Sequence, residues 1–324
     1  MFRVNRLIVF ICLLFLNGCK NPIKRFDLPK DGSRSPLTNQ ILFDNPESTL
    51  ANWWRENRLE NPEQAERLKK LLSVPSAMWV NDGKETTLNE IKNIIKISSE
   101  ERKIPIFCIY NIVGRDINQY SKGGAVDESD YCDFIIRINR KFGTGAAILI
   151  LEPDSLGQLS LLSKEQQEER LRLLQGAVKV LGKAPRRYIY LDGGNSGWQS
   201  PEVQARLLRL AGVKGVRGFA INVSNFQTLQ DSVAYAIALS RLTGGKSAVI
   251  DTSRCGNGPA LDKRWCNPPG RALGPRPATK THAPIDALLW VKPFAESDGN
   301  LDGAPSAGAI YPDYAIELLR NAGE

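Results

Sequence analysis

Residues 146–155 read Ala-Ala-Ile-Leu-Ile-Leu-Glu-Pro-Asp-Ser. Six apolar residues run without interruption and then give way to two carboxylates. A half-buried strand alternates apolar and polar side chains. An unbroken β-rich run suits a strand buried on both faces, as in a parallel sheet covered by helices. The same reading applies to Ala77–Val80, Ile104–Tyr110, Tyr188–Leu191, Gly218–Val223, Ser247–Ile250 and Ala287–Val291. Between these seven runs lie longer amphipathic stretches. One is Lys164–Leu181, with leucines at 171, 173 and 174 and charges opposite. Alternating strand and helix predicts a parallel α/β fold, and seven units in about 280 residues favour a barrel over an open sheet.

The residues after the runs are chemically dense. Tyr110 leads into Asn111-Ile112-Val113-Gly114-Arg115-Asp116, and Leu151 into Glu152-Pro153-Asp154-Ser155. Leu191 leads into Asp192-Gly193-Gly194-Asn195-Ser196-Gly197-Trp198. Then come Asn222-Val223-Ser224-Asn225, Asp251-Thr252-Ser253-Arg254 and Lys292-Pro293-Phe294-Ala295-Glu296-Ser297-Asp298-Gly299. In a parallel barrel the C-terminal strand ends converge on one face, so these carboxylates are expected to meet there. A single carboxylate after a strand is more often a helix cap or loop ligand. Four or more at successive strand ends are not explained that way.

Composition narrows the chemistry. The 324 residues carry a formal charge of +8, six cysteines and one histidine. One histidine excludes a two-histidine metal site and forces any Ser-His-Asp triad onto His282, which follows a Pro/Lys/Thr stretch. No metal and no cofactor are expected. Lysine and arginine are dispersed without interleaved aromatics, so nucleic acid is not an expected partner. Ser240–Ser247 only approximates a phosphate-binding loop, since Ser240 replaces the first glycine and the stretch precedes a strand.

Residues 1–19 read as a lipoprotein-type signal peptide. Arg3 and Arg6 precede the apolar run Leu7–Leu16, and Leu16-Asn17-Gly18-Cys19 resembles a lipobox with Cys19 as the lipidated residue. Removal takes two of the positive charges with it. Residues 20–40, rich in Pro, Lys, Asp and Ser, read as a flexible tether, and the catalytic domain as 41–324. The destination is the cell envelope, with a lipid as the sole membrane contact, or the extracellular space. In an oxidising compartment a bridge between Cys255 and Cys266, in a Gly/Pro/Asn-rich stretch, is expected; two unpaired thiols are the alternative.

Two carboxyl groups flanking a sugar linkage can hydrolyse it, one protonated near neutrality and the other ionised. Trp198 and Trp265, in Gly/Asn/Pro-rich loops, suit sugar stacking. Trp79 and Trp290, inside apolar runs, read first as core.

Together these motifs resemble glycoside hydrolase family 6, the inverting β-1,4-glucanases, from about Asn45 to the C-terminus. Also part of the resemblance are Trp265-Cys266-Asn267-Pro268-Pro269-Gly270-Arg271 and Trp290-Val291-Lys292-Pro293. The resemblance implies a distorted seven-stranded parallel β/α barrel acting as a monomer on a β-1,4-glucan by single displacement. It implies Asp154 as general acid, Asp116 as the aspartate that raises the acid's pKa, and Asp298 as the base. It further implies that Tyr110 crowds the sugar, that Arg115 pairs with an aspartate, and that Ser121 positions water. Asp192 would stabilise the site, Lys292 and Glu296 would bind hydroxyls, and Trp53, Trp198 and Trp265 would stack on sugars. Asn225 belongs to the substrate-binding set.

The chain also departs from the family pattern. Asn195 stands where the family has histidine, and Ile117 where many members have cysteine. The usual partner of Cys266 is replaced by Asn300, with Cys255 as a substitute partner. Short stretches after Asp154 and Asp298 imply an open cleft and internal cleavage. The alternatives are a cellobiohydrolase and a non-catalytic glucan-binding lipoprotein.

Overall fold

The computed structural model describes residues 35–117 and 119–324. Residues 1–19, read above as a signal peptide ending in Cys19, and residues 20–34, read as tether, lie outside the described residues.

In chain order the strands are β1 (Ile41–Leu42), β2 (Met78–Val80), β3 (Lys103–Ile104), β4 (Ile106–Ile109), β5 (Ala147–Leu151), β6 (Arg187–Asp192), β7 (Gly218–Ile221), β8 (Ser247–Asp251) and β9 (Ile285–Leu289). The helices are α1 (Thr49–Asn57), α2 (Pro62–Lys69), α3 (Glu85–Glu100), α4 (Glu128–Phe142), α5 (Lys164–Leu181), α6 (Pro201–Leu210), α7 (Leu229–Leu242) and α8 (Pro312–Asn321). Seven strands form one all-parallel sheet in the order β2-β4-β5-β6-β7-β8-β9. These are the seven expected strands, and α5 has the bounds read from its leucines.

The sheet curls into a barrel with a seam. No ladder joins β9 to β2. Instead the Ala77 amide donates to the Trp290 carbonyl at 3.0 Å, and Trp79 Nε1 donates to the Val291 carbonyl at 2.9 Å. One expected strand, Ile104–Tyr110, is two. Pro105 lacks the amide a ladder needs, so β3 pairs with β1 while β4 enters the barrel.

The unbroken apolar runs divide with a period of two. From β4, β5 and β8, Cys108, Ile148, Ile150 and Val249 fill the barrel. Phe107, Leu149, Leu151 and Ile250 face outward under the helices. Every residue of β5 is fully buried, which explains its lack of alternation. At the end of the barrel away from the cleft, Arg217 pairs bidentately with the buried Asp286 at 2.7 and 2.9 Å, and Tyr190 donates to the same carboxylate. A third cluster packs α1, α2 and α8 around Trp290 and Phe294, confirming Trp290 as core.

Two expectations are corrected. Residues 35–40 are not tether: Leu37 is fully buried in the barrel-side core, and the Ser35 amide donates to the Thr281 carbonyl. One leucine in a polar stretch carries no visible period, so its burial was not legible. Cys255 and Cys266 are unpaired thiols. Cys255 Sγ lies 3.6 Å from the Thr252 carbonyl and Cys266 Sγ lies 3.7 Å from that of Gly299. The two sulfurs are seated in different loop junctions, whereas a bridge needs them face to face. Burial raises both thiols, Cys255 to about 12, so neither is a ready thiolate.

Candidate active site

Because the strands are parallel, their C-terminal ends share one face, and a cleft of about 1090 Å³ opens there. Its floor and walls include Tyr110, Arg115, Asp116, Ser121, Asp154, Asn195, Trp198, Asn225, Trp265, Lys292, Glu296 and Asp298. Thus side chains from six separate loops converge on the face where the strand ends meet. Asp192 is buried beneath this set.

The backbone does part of the aiming. Asp116, Glu152 and Asp154 all have positive φ, at 51°, 51° and 66°. Aspartate tolerates this left-handed region and glutamate does so less readily. The double kink around Pro153 turns the Asp154 side chain into the cleft.

Asp154 and Asp192 lie at neighbouring strand ends. Asp192 Oδ2 accepts the amides of Asp154 and Gly194, each at 3.2 Å. Burial raises both carboxyls, and the Asp154 charge raises Asp192 further. Asp154 is pushed up to about 7, first by burial and then by the Asp116 charge. The two backbone donors favour the ionised form of Asp192. Among the described residues no donor reaches the Asp154 carboxyl. Burial outweighs the two backbone donors and holds Asp192 well above the usual carboxylate range, while Asp154, at about 7, is suited to give up a proton at neutral pH.

Asp116 is itself raised by burial, but its Oδ2 accepts the Ser121 amide at 2.6 Å. Ser121 acts on Asp116 through its backbone. Tyr110 is buried beside both aspartates, its hydroxyl held neutral, with the Trp79 ring edge-on at 5.2 Å. Asp298 is the opposite case from Asp154. Arg254 Nη1 donates to its Oδ2 at 2.7 Å, the Asn267 amide donates at 3.0 Å, and Lys292 Nζ lies 3.7 Å from Oδ1. These partners outweigh burial and hold Asp298 below the usual carboxylate range. It is a fixed negative charge and a weak proton acceptor.

The other candidates divide. Trp198 and Trp265 stand on the rim, each about two-fifths exposed, as stacking platforms require. Trp198 lies flat against Gly157, where a Cβ would come within 2.5 Å of its ring. Glu296 faces the cleft and accepts the Thr49 hydroxyl at 2.8 Å. Lys292 donates to the Ser297 carbonyl at 3.0 Å, so its first partner is its own loop. Asn195 Oδ1 accepts the Gly197 amide, and Asn225 Nδ2 donates to the Val223 carbonyl.

Two readings fail. Arg115 makes no ion pair among the described residues. Its guanidinium donates to the carbonyls of Ser121, Asn81 and Tyr110 and lies over the Tyr110 ring. Trp53 does not line the cleft; it packs with α1 against the Trp290 core, because the helix turns its apolar face inward. Conversely, Trp79 lines the cleft although it lies in an apolar run. Arg254, fully buried over Phe226 at 4.3 Å, and Glu152 were not singled out. Their importance depends on partners far away in sequence.

The model for glycosyl hydrolases family 6 matches residues 38–322. The chain belongs to that family. Among curated family 6 relatives, endoglucanase A of Cellulomonas fimi is 40% identical over 258 residues, covering 79% of this chain and 56% of its own. The chain thus spans a little over half the length of that relative. Endoglucanase 1 of Streptomyces halstedii is 32% identical over 312 residues, covering 93% and 95%. Among solved structures, the Mycobacterium tuberculosis endoglucanase Cel6, in complex with a thio-linked methyl-cellobiosyl cellobioside, superposes with a TM-score of 0.85. It is 37% identical, and the match covers 90% of this chain and 100% of that one. The family 6 fold accounts for the seven-stranded barrel and for the cleft at the C-terminal strand ends.

Proposed function

We propose that the protein hydrolyses internal β-1,4-glucosidic bonds of a glucan, with inversion at the anomeric carbon. The observation that carries this is Asp154, a carboxyl held protonated near neutrality on the floor of a cleft rimmed by indoles. Protonation of the leaving oxygen by Asp154 would coincide with water attack on the opposite face of the sugar, the attacking water passing its proton through a second water to the Asp116 carboxylate. Asp116 supplies the negative charge that keeps Asp154 protonated. Asp298, held ionised by Arg254 and Lys292, offsets the positive charge that develops on the ring. Tyr110 stays a neutral phenol against that ring.

The internal position of the cut rests on the loops. Only nine residues separate Asp154 from the start of α5, and thirteen separate Asp298 from the start of α8. Neither stretch is long enough to roof the cleft, which supports entry of a chain from the side. We further propose export through residues 1–19 with lipid on Cys19, a reading tested by metabolic labelling with a fatty acid in the wild type and in Cys19→Ala.

The test of activity uses purified protein and carboxymethylcellulose. Viscosity should fall early, well before reducing ends accumulate, and Asp154→Ala should remove this. Slow viscosity loss with cellobiose as the main early product would instead indicate cutting from chain ends. Unchanged viscosity with retention on a cellooligosaccharide column would leave binding alone.

A further inference from the structure

Behind the cleft, two buried side chains join the loop that carries Asp116 to the turn that carries Asp154. Glu152, at the end of β5, accepts the amides of Asn111 and Ile112 with Oε2, each at 3.0 Å. Its Oε1 accepts the Tyr131 hydroxyl from α4 at 3.0 Å. Arg170, on α5, donates through Nη2 to the carbonyls of Val113 at 2.9 Å and Gly114 at 2.8 Å. Its Nη1 reaches the Ser155 carbonyl at 3.5 Å. Four successive residues, 111–114, are therefore gripped by two side chains that are 0% and 3% exposed. Neither side chain lines the cleft.

The loop is also held by the Ala125 amide on the Asn111 carbonyl, by the Arg115–Gly123 bridge and by the Gln158 side chain on the Ile117 amide, all at or beyond the ends of 111–114. Gly114 and Asp116 are left-handed, and beyond β4 the segment leaves the sheet. Glu152 itself holds a positive φ, which persists only where the surroundings over-determine it. We propose that Glu152 and Arg170 are positioning residues that set the separation of Asp116 from Asp154. The proposal rests on Asp154 being the acid. A displacement of about 1 Å in such a pair can cost on the order of 100-fold in rate.

Hydrogen bonding, not charge, is the operative property of Glu152. A glutamine can accept both amides with its oxygen and donate its NH₂ to the Tyr131 hydroxyl. Glu152→Gln should therefore keep kcat within about threefold. Glu152→Met, which fills the space and accepts nothing, should lower kcat on a plain cellooligosaccharide by roughly 10- to 100-fold with little change in KM. A dinitrophenyl cellooligosaccharide has a leaving group that needs no proton. On that substrate the same variant should lose less than about threefold, because only acid placement is impaired.

Should Glu152→Met not fold, Arg170→Lys tests the same grip, since one ammonium cannot span three carbonyls. Its expected signature is the same split between the two substrates. Equal losses on both substrates, or a Glu152→Gln variant as impaired as Glu152→Met, would overturn the proposal. A wild-type protein inactive on the plain substrate would overturn the functional reading instead.

Discussion

Replacing Asp116 by asparagine isolates the charge that tunes the acid. The substituted amide keeps the shape of the carboxylate, and its oxygen can still accept the Ser121 amide. What disappears is a negative charge facing Asp154. Asp154 stands at about 7 against an ordinary 3.8, a rise of about three units with burial as the larger cause. The Asp116 charge therefore supplies less than half. The expected fall is about one unit, or about 1.4 kcal/mol. The sign follows from the active form. Asp154 works protonated, so activity fails as pH rises through its pKa. Lowering that pKa moves the alkaline limb of kcat/KM to lower pH by about one unit. At pH 7 the protonated fraction drops from about one half to about one tenth, a fivefold loss from this cause alone. The assay is a pH series on a cellooligosaccharide for wild type and Asp116→Asn. An unmoved alkaline limb, or one shifted upward, would refute the assignment of Asp116 as the charge that holds the proton on Asp154.

Three other perturbations have expected outcomes. Arg254→Met leaves Asp298 ionised and buried without its main partner, so denaturant unfolding should show a loss of about 3–5 kcal/mol. Trp198→Ala removes a platform that covers about 50 Å² of a sugar face, worth about 1.2 kcal/mol at 25 cal/mol/Å². KM for long glucans should rise about eightfold with kcat nearly unchanged, and Gly157→Ala should reproduce part of this by pushing the indole aside. Leu37→Ala should cost about 2–4 kcal/mol by thermal or denaturant unfolding, whereas a tether residue would cost nothing measurable.

The strands were legible because burial on both faces removes polar residues from the run, as in 147–151, and the polar switch afterward marks the face of the site. Asp116, Asp154 and Asp298 were legible for the same reason. Less legible was anything that depends on the approach of distant segments. Trp53 and Trp79 illustrate this: one sits on an amphipathic helix and faces the core, the other sits in an apolar run and faces the cleft because the seam beside β2 leaves it uncovered. The grip of Glu152 on Asn111 and Ile112 spans about forty residues of sequence, and that of Arg254 on Asp298 spans 44. Composition could allow a bridge between Cys255 and Cys266, but only the loop geometry places the sulfurs apart.

The most direct test of the central claim is the configuration of the reducing end as it forms. Proton NMR of cellopentaose or cellohexaose during rapid turnover reads the anomeric signals before mutarotation mixes them. Single displacement, with Asp154 protonating the leaving oxygen and water attacking from the opposite face, predicts that the α anomer appears first. First appearance of the β anomer would mean a covalent intermediate on a carboxylate, and would contradict the account.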